Sequence, residues 1–370
     1  ASEDPAERIF LARVVGEVAL PYVYQPLPAL LADPEATVRC AALEAAGQIQ
    51  HPRLLPAVIA NLDRRATQSA ATEALVAFGE LLLPEVEKAL GSKTLTEAEI
   101  ARLVRICRQI KGEKVITLMR RNLDYTSTKV RDQILIVLSA CHFQAQAADL
   151  PALNRALLRD AGRAHFLLVA QEDLGPSDAL TMLLHALDDE LTLAKKRVFW
   201  LLSFIYDGRA ILQAQTRLNS GTLAQRALAL EMLEVTLNAD HKSLLLPLVD
   251  PQLERPQRIQ MLNKRFKTPG LDRDRRLQKF VSGDESAWIR SCAIYGATLL
   301  GVVSQLDKEE MVALVEETLQ DIRPLVRETT VWSLNKLAPS RFNKRLEELL
   351  NDDDPHVAQL SAYLNAQQLD

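Results

Sequence analysis

Apolar and small residues in "DPEATVRCAALEAAGQIQ" (residues 33–50) recur at helical spacing directly behind a helix-breaking Asp-Pro, and an arginine follows the first β-branched apolar residue, as Val38 and Arg39. The same arrangement returns with Val130 and Arg131 in "DYTSTKVRDQILIVLSAC", with Ile289 and Arg290 in "GDESAWIRSCAIYGATLLG", and with Val326 and Arg327 in "DIRPLVRETTVWSLNKLAP". A degenerate copy puts Thr67 and Gln68 at the paired positions, and the last one keeps Val357 but has Ala358 where the arginine would stand. Shorter apolar stretches precede these sites: "LLPAVIANL", "VITLMRRNL", "MVALVEETL" and "NKRLEELL", each ending just before a polar turn. The pattern predicts two helices per unit, with units about 30 to 40 residues apart.

Such a period makes the chain all-α, a HEAT-like α-solenoid of stacked helical hairpins, each unit burying its apolar face against its neighbours. Pro34, Pro52, Pro324 and Pro355 fall at the expected turns, where a missing backbone donor costs least, and Thr96 with Glu99 forms a capping box for a further helix. Because the arginine recurs with the repeat, it is read as structural: Arg39, Arg131, Arg290 and Arg327 are candidates for a ladder in which turn aspartates and arginines link neighbouring repeats.

The middle of the chain breaks this rhythm. Leu180, Leu184, Leu187, Leu191, Ala194, Val198, Leu201 and Ile205 step alternately by four and three and predict one long helix, paired with a second long amphipathic segment, "DLPALNRALLRDAGRAHFLLVAQ", across "DLGPSD". The chain therefore divides into repeats over 1–145, a long helical hairpin and following helices over 146–250, and repeats over 251–370, read as one continuous solenoid. Internal packing of the long seam is expected.

Composition narrows the chemistry. Hydrophobic residues make up 48% of the chain and charged ones 25%, but aromatics only 5%, and the net charge is −4. That balance argues against a surface built to coat nucleic acid. Cys40, Cys107, Cys141 and Cys292 are far apart with no Cys-x-x-Cys pair and read as reduced, buried thiols of a cytosolic protein. No apolar run is long enough to span a bilayer. The six histidines show no metal-ligand spacing, "GATLLG" is followed by Val302 and Val303 where a phosphate loop needs Lys-Ser/Thr, and Cys141-His142 reads as packing on a helix. No cofactor is implied, no residue is assigned as catalytic or metal-binding, and the chain is read as not an enzyme. One local asymmetry stands out: residues 255–279 carry nine Lys or Arg against two Asp. A solvated face is the simplest reading; the alternative is an anion-binding patch of Arg265, Lys267, Arg275 and Arg276 for a lipid headgroup or nucleotide.

The run "RVFWLLSFIYDGRAILQAQTRLNSGTLAQRALALEMLEVTLNADHKSLLLPLVD", followed by "DESAWIRSCAIYGATLLG" and "PLVRETTVWSLNKL", resembles the soluble HEAT-repeat region of bacterial ADP/ATP carrier-like membrane proteins, and the early repeats fit the same region. The resemblance implies a cytoplasmic extension tethered to the inner membrane through an N-terminal transmembrane part, followed in some members by a cyclic-nucleotide-binding domain. Its partner would be a protein or its own transmembrane domain, and transport itself would lie outside these residues. A free cytosolic scaffold of the same fold is one alternative. A HEAT-like DNA glycosylase is another, but it needs a basic face and stacking aromatics that this composition does not favour. A bilin lyase of similar repeats has no counterpart to the central hairpin.

Overall fold

A computed structural model describes residues 2–20, 22–303 and 308–369, and every regular element among them is a helix. Contacts divide the chain into two compact units, one of residues 1–157 with 199–216 and the other of 158–198 with 217–370. The division falls inside the central hairpin, whose helices Leu150–Leu174 and Thr181–Ile205 each run for 25 residues. The seam expected in the second of them is buried at Leu180, Leu187, Leu191, Ala194, Val198 and Leu201, and only partly covered at Leu184 and Ile205.

In the first unit, helices Pro5–Val18, Ala36–Ile49, Gln68–Phe78, Glu97–Ile110 and Thr128–Ala140 form one row, each packed on the next. Shorter helices Leu27–Leu31, Leu55–Ile59, Leu83–Gly91 and Glu113–Arg121 each lean on the row helix that follows. Small residues set the spacing. A Cβ at Gly47 would lie 3.2 Å from the Ala74 backbone and one at Gly16 3.0 Å from that of Ala45, so the row helices meet almost backbone to backbone. The Ala-rich stripe Ala41, Ala42, Ala45 and Ala46 is the sequence expression of that contact.

The second unit repeats the plan with Ala287–Val303, Pro324–Leu337 and Pro355–Leu369 in a row and Lys308–Glu317 and Pro339–Leu350 beside it. Pro324 and Pro355 open their helices, and the Thr96–Glu99 capping box is formed, with Thr96 N–H donating to Glu99 Oε2 at 2.6 Å. Pro247 is the exception to prolines at turns: it sits within Ala239–Val249, buried and near the helix end. A buried ion cluster joins the hairpin helices inside this unit. Arg197, 1% exposed, donates to Asp160 Oδ1 and Glu190 Oε1, both at 2.9 Å.

Candidate interaction surface

At each repeat the β-branched residue is inside: Val38, Val130, Ile289, Val326 and Val357 are all 0–2% exposed. The arginine after it turns back onto the loop that starts its helix. Arg39 Nη1 donates to Asp33 O at 2.6 Å and Pro34 O at 2.8 Å; Arg131 Nη1 donates to Tyr125 O and Thr126 O, each at 2.6 Å; Arg327 Nη1 donates to Asp321 O at 2.9 Å. In all three the carbonyl six residues upstream is satisfied, a group that the turn would otherwise leave unpaired. In the degenerate copy Thr67 Oγ1 does this work, donating to Asn61 O at 2.9 Å. Arg290 reaches further, to Val281 O at 2.7 Å.

Pairing between repeats uses a subset of these groups. Arg327 holds Asp352 of the next turn in a fork, Nε to Oδ2 at 2.9 Å and Nη2 to Oδ1 at 2.7 Å, and Arg290 donates to Asp321 at 2.6 Å. At the other end of the chain Arg8, outside the repeated pattern, forks onto Asp33. Arg39 and Arg131 donate to the carbonyls of their own turns. Burial works against charge on Asp321, but hydrogen bonds from Arg323 and the Arg290 charge hold its carboxyl below the usual range; Arg8 does the same for Asp33 mainly through its hydrogen bonds. The acidic run 351–355 is thus the acceptor for Arg327, and Asp354 also caps the last helix through His356 N–H at 2.9 Å.

Large apolar side chains lie exposed beside this framework. Trp288 is 49% exposed, Ile322 91% and Leu325 41%. Trp288 and Leu325 each sit one residue before the β-branched position of their repeat, on the first turns of adjacent row helices. Ser291 Oγ donates to Leu325 O at 3.3 Å and Arg323 Nη1 to Glu285 O at 2.5 Å, which fixes the two helix starts side by side. Glu285 is itself gripped by Arg163, with Nη2 to Oε2 at 2.6 Å. The apolar ridge therefore rests on ion pairs that are already satisfied.

Residues 255–279 are fastened to the helix Leu150–Leu174. Arg276 is 2% exposed: Nε donates to Asp173 Oδ2 at 2.8 Å, Nη2 to Pro269 O at 3.0 Å, and its guanidinium lies 5.3 Å from the Phe166 ring centre. A buried, paired cation is not part of a surface patch. Arg265 pairs with Asp240 and Arg275 lies 3.5 Å from Asp272, while Lys267 is exposed. Fully buried His165 bridges the same contact, with Nε2 2.9 Å from Asn263 Oδ1 and Nδ1 3.1 Å from Thr268 Oγ1, and Phe266 closes over Gly162 and the imidazole. Sequence alone gave no hint of this strap, because its partners lie about a hundred residues apart.

Catalytic constellations are not assembled among the described residues. Cys141-His142 lies past the end of Thr128–Ala140, not on the helix as expected: His142 takes φ 53°, and Phe143 N–H closes the turn onto Leu138 O. Cys107 and Cys292 are buried, with burial pushing their thiols up to about 12 and about 11, but Cys40 and Cys141 are only half-buried. In an open cavity of about 580 Å³ lined by Ser139, His142, Gln144, Ser203 and Asp207, Gln144 donates to Ser203 O and Asp207 caps the next helix. No group of His, Cys, Asp and Glu suited to a metal, and no helix long and apolar enough to cross a membrane, occurs among the described residues.

Comparison with protein families returns HEAT repeats over residues 1–79. No curated protein matches. Among solved structures, a microtubule polymerase with a tubulin-recruiting TOG domain array aligns with all of this chain and 83% of its own at 11% identity and a TM-score of 0.32. The karyopherin Kap121p, bound to the extreme C-terminus of the phosphatase Cdc14p, aligns over 95% of this chain and 48% of its own at 14% identity and a TM-score of 0.24; bound to the SUMO protease Ulp1p, it aligns over 96% and 53% at 12% and 0.25. The chain spans about half the length of that karyopherin. These likenesses extend no further than the helical-repeat fold, and none of the proteins is of the ADP/ATP carrier-like kind.

Proposed function

We propose that this chain is a non-catalytic protein-interaction module, and that its partner docks on the ridge of Trp288, Ile322 and Leu325. The observation that carries the reading is the exposure of three large apolar side chains, Trp288 and Leu325 on adjacent helix starts and Ile322 in the turn before the second, beside arginines and carboxylates that are paired. Isolated exposed apolar residues are ordinary, but a Trp-centred group on a rigid base is the composition of a binding hot spot. Photo-crosslinking tests it. A benzophenone amino acid at position 288 captures a defined protein in cells of the source, whereas the same probe at Leu158, 43% exposed elsewhere in this unit, does not. Equal capture at both positions refutes the assignment.

On the finer question of context, we propose that the module belongs to a longer ADP/ATP carrier-like polypeptide and acts as its cytoplasmic extension, a reading supported by the runs of residues 197–250, 284–301 and 324–337 and by nothing else. Membrane fractions probed with an antibody to this region decide it. A membrane-bound species much heavier than this chain supports the tether, and a species of this size free of the membrane eliminates it in favour of a cytosolic scaffold. For residues 255–279 we propose a structural role, supported by the burial of Arg276 and the His165 contacts. Reversing charge at Arg265, Lys267 and Arg275 together leaves partition onto phosphatidylserine vesicles unchanged; a measurable loss would restore the anion-binding reading.

A further inference from the structure

Charge around the ridge identifies its partner more closely. The three turns that border it, at residues 284–285, 321 and 352–354, bring six carboxylates to one edge of the second unit. The arginines that meet them are already occupied: Arg163 by Glu285, Arg290 and Arg323 by Asp321, and Arg327 by Asp352 and Asp353 together. Six carboxylates against four arginines leave the edge acidic. The surplus reaches water: Asp284 is exposed, and Asp353, which shares the one Arg327 guanidinium with Asp352, is 89% exposed. Apolar side chains with an unneutralised acidic rim favour a partner that is apolar in the middle and cationic at its edges, because opposite charge speeds encounter while like charge is rejected.

Resting on the protein-interaction reading above, we propose that the Trp288–Ile322–Leu325 ridge docks a basic amphipathic segment of a protein, with Asp284 and Asp353 contacting its Lys or Arg side chains. The segment's apolar face covers the indole and the two aliphatic side chains. Its cations meet the exposed Asp284 and Asp353, the latter sharing its single arginine with Asp352. A bound segment needs no rearrangement of the repeat, since the ion pairs below the ridge join backbone turns of successive helices and do not have to open.

The experiment uses the whole chain and two dye-labelled peptides of identical helical Leu pattern, one with Lys and one with Glu at every polar position, read by fluorescence anisotropy. The Lys peptide binds at least about tenfold more tightly than the Glu peptide, and the preference shrinks as salt rises. Replacing Trp288, Ile322 and Leu325 by Ser weakens binding about tenfold or more, and these exposed sites leave the circular dichroism spectrum intact. Asp284→Lys with Asp353→Lys weakens the Lys peptide while strengthening the Glu peptide. Failure of the Lys peptide to bind, or binding indifferent to both sets of substitutions, overturns the proposal. Equal loss of both peptides in the Ser variant, with no effect of the Lys substitutions, overturns the basic partner while leaving the ridge as an interaction site. Binding to phosphatidylglycerol vesicles in place of the Lys peptide, or concentration-dependent dimerisation lost in the Ser variant, likewise removes the basic segment as occupant.

Discussion

Arg327→Met tests the claim that the repeat arginine is a backbone anchor as well as one half of an ion pair. Arg327 is 8% exposed and donates to Asp321 O at 2.9 Å and twice to Asp352, at 2.9 and 2.7 Å. Methionine preserves the apolar stem but leaves a buried carbonyl without its donor, a loss of about 1–3 kcal/mol. It also strips Asp352 of its counter-charge, although that carboxylate is 11% exposed and keeps the Asp354 N–H at 2.8 Å, so water and backbone recover part of the cost. The total comes to about 3 kcal/mol, near the lower end for breaking a buried pair by removing one partner. In a repeat stack the loss is felt by the neighbours and not by the whole. Native-state hydrogen exchange should therefore speed up about 150-fold, the equivalent of about 3 kcal/mol, in Pro355–Leu369, while Arg273–Ser282, which packs on neither helix, keeps its rates. A second readout is acidity. Burial raises the Asp352 pKa and Arg327 lowers it, with the net result below the usual value. The pair's contribution is present above the ordinary carboxylate range and fades as pH falls through the lowered value; in Arg327→Met that dependence weakens and Asp352 titrates higher. Exchange in Pro355–Leu369 unchanged within a factor of about three, or accelerated equally in every helix of the unit, would refute the reasoning.

Three further outcomes are expected. Arg197→Met strips Asp160 and Glu190 of their shared guanidinium, leaving Asp160 with only Arg159 at 3.7 Å, and lowers stability in urea by about 3 kcal/mol, whereas Arg197→Met with Asp160→Leu recovers more than half of that loss. Lys195→Met raises stability by about 1–2 kcal/mol at neutral pH, because burial beside Arg258 has brought the amine down to about 8; the gain shrinks as pH rises from 8 toward 10.5, where the unfolded lysine also becomes neutral. His165 and His241 are both buried with pKa values lowered mainly by burial, so the folded state favours the neutral ring; their contribution is complete above about 6.5 and is lost as pH falls below it, and His165→Gln flattens that slope in thermal melts.

The helical rows were legible in the sequence because one local rule generates them. A turn, an exposed position, a β-branched residue and an arginine recur with small residues behind them, and the alanines and the one glycine of residues 41–47 are what the close backbone contacts demand. The degenerate copy was legible only as a departure; in the structure Thr67, at the apolar position, supplies the donor that the arginine supplies elsewhere. The long seam of 180–205 was visible for the same reason of period. What periodicity could not disclose is which cations stay free. Arg276 and Arg275 are neighbours on one short helix, yet one is buried on Asp173 and Phe166 and the other faces solvent. That difference depends on a segment a hundred residues away.

Counting charges along residues 255–279 left an anion-binding patch as the alternative to a solvated face, while the same count across the turns of the second unit favours a cation. A guanidinium that donates to carbonyls has spent its hydrogen bonds, as Arg258 shows by reaching Leu253 O at 2.8 Å, Leu248 O at 3.2 Å and Asp250 O at 2.8 Å, and one that also grips a carboxylate, as Arg327 does, has spent its charge. Arginine is suited to this because its donors are fixed in a planar fork that can reach several oxygens at once. The repeat turns draw their arginines inward to close the backbone and in doing so leave extra aspartates at the rim. Acidity at the exposed ridge is thus a consequence of how the helices are joined, and a partner rich in Lys or Arg would exploit a surface that the architecture already provides.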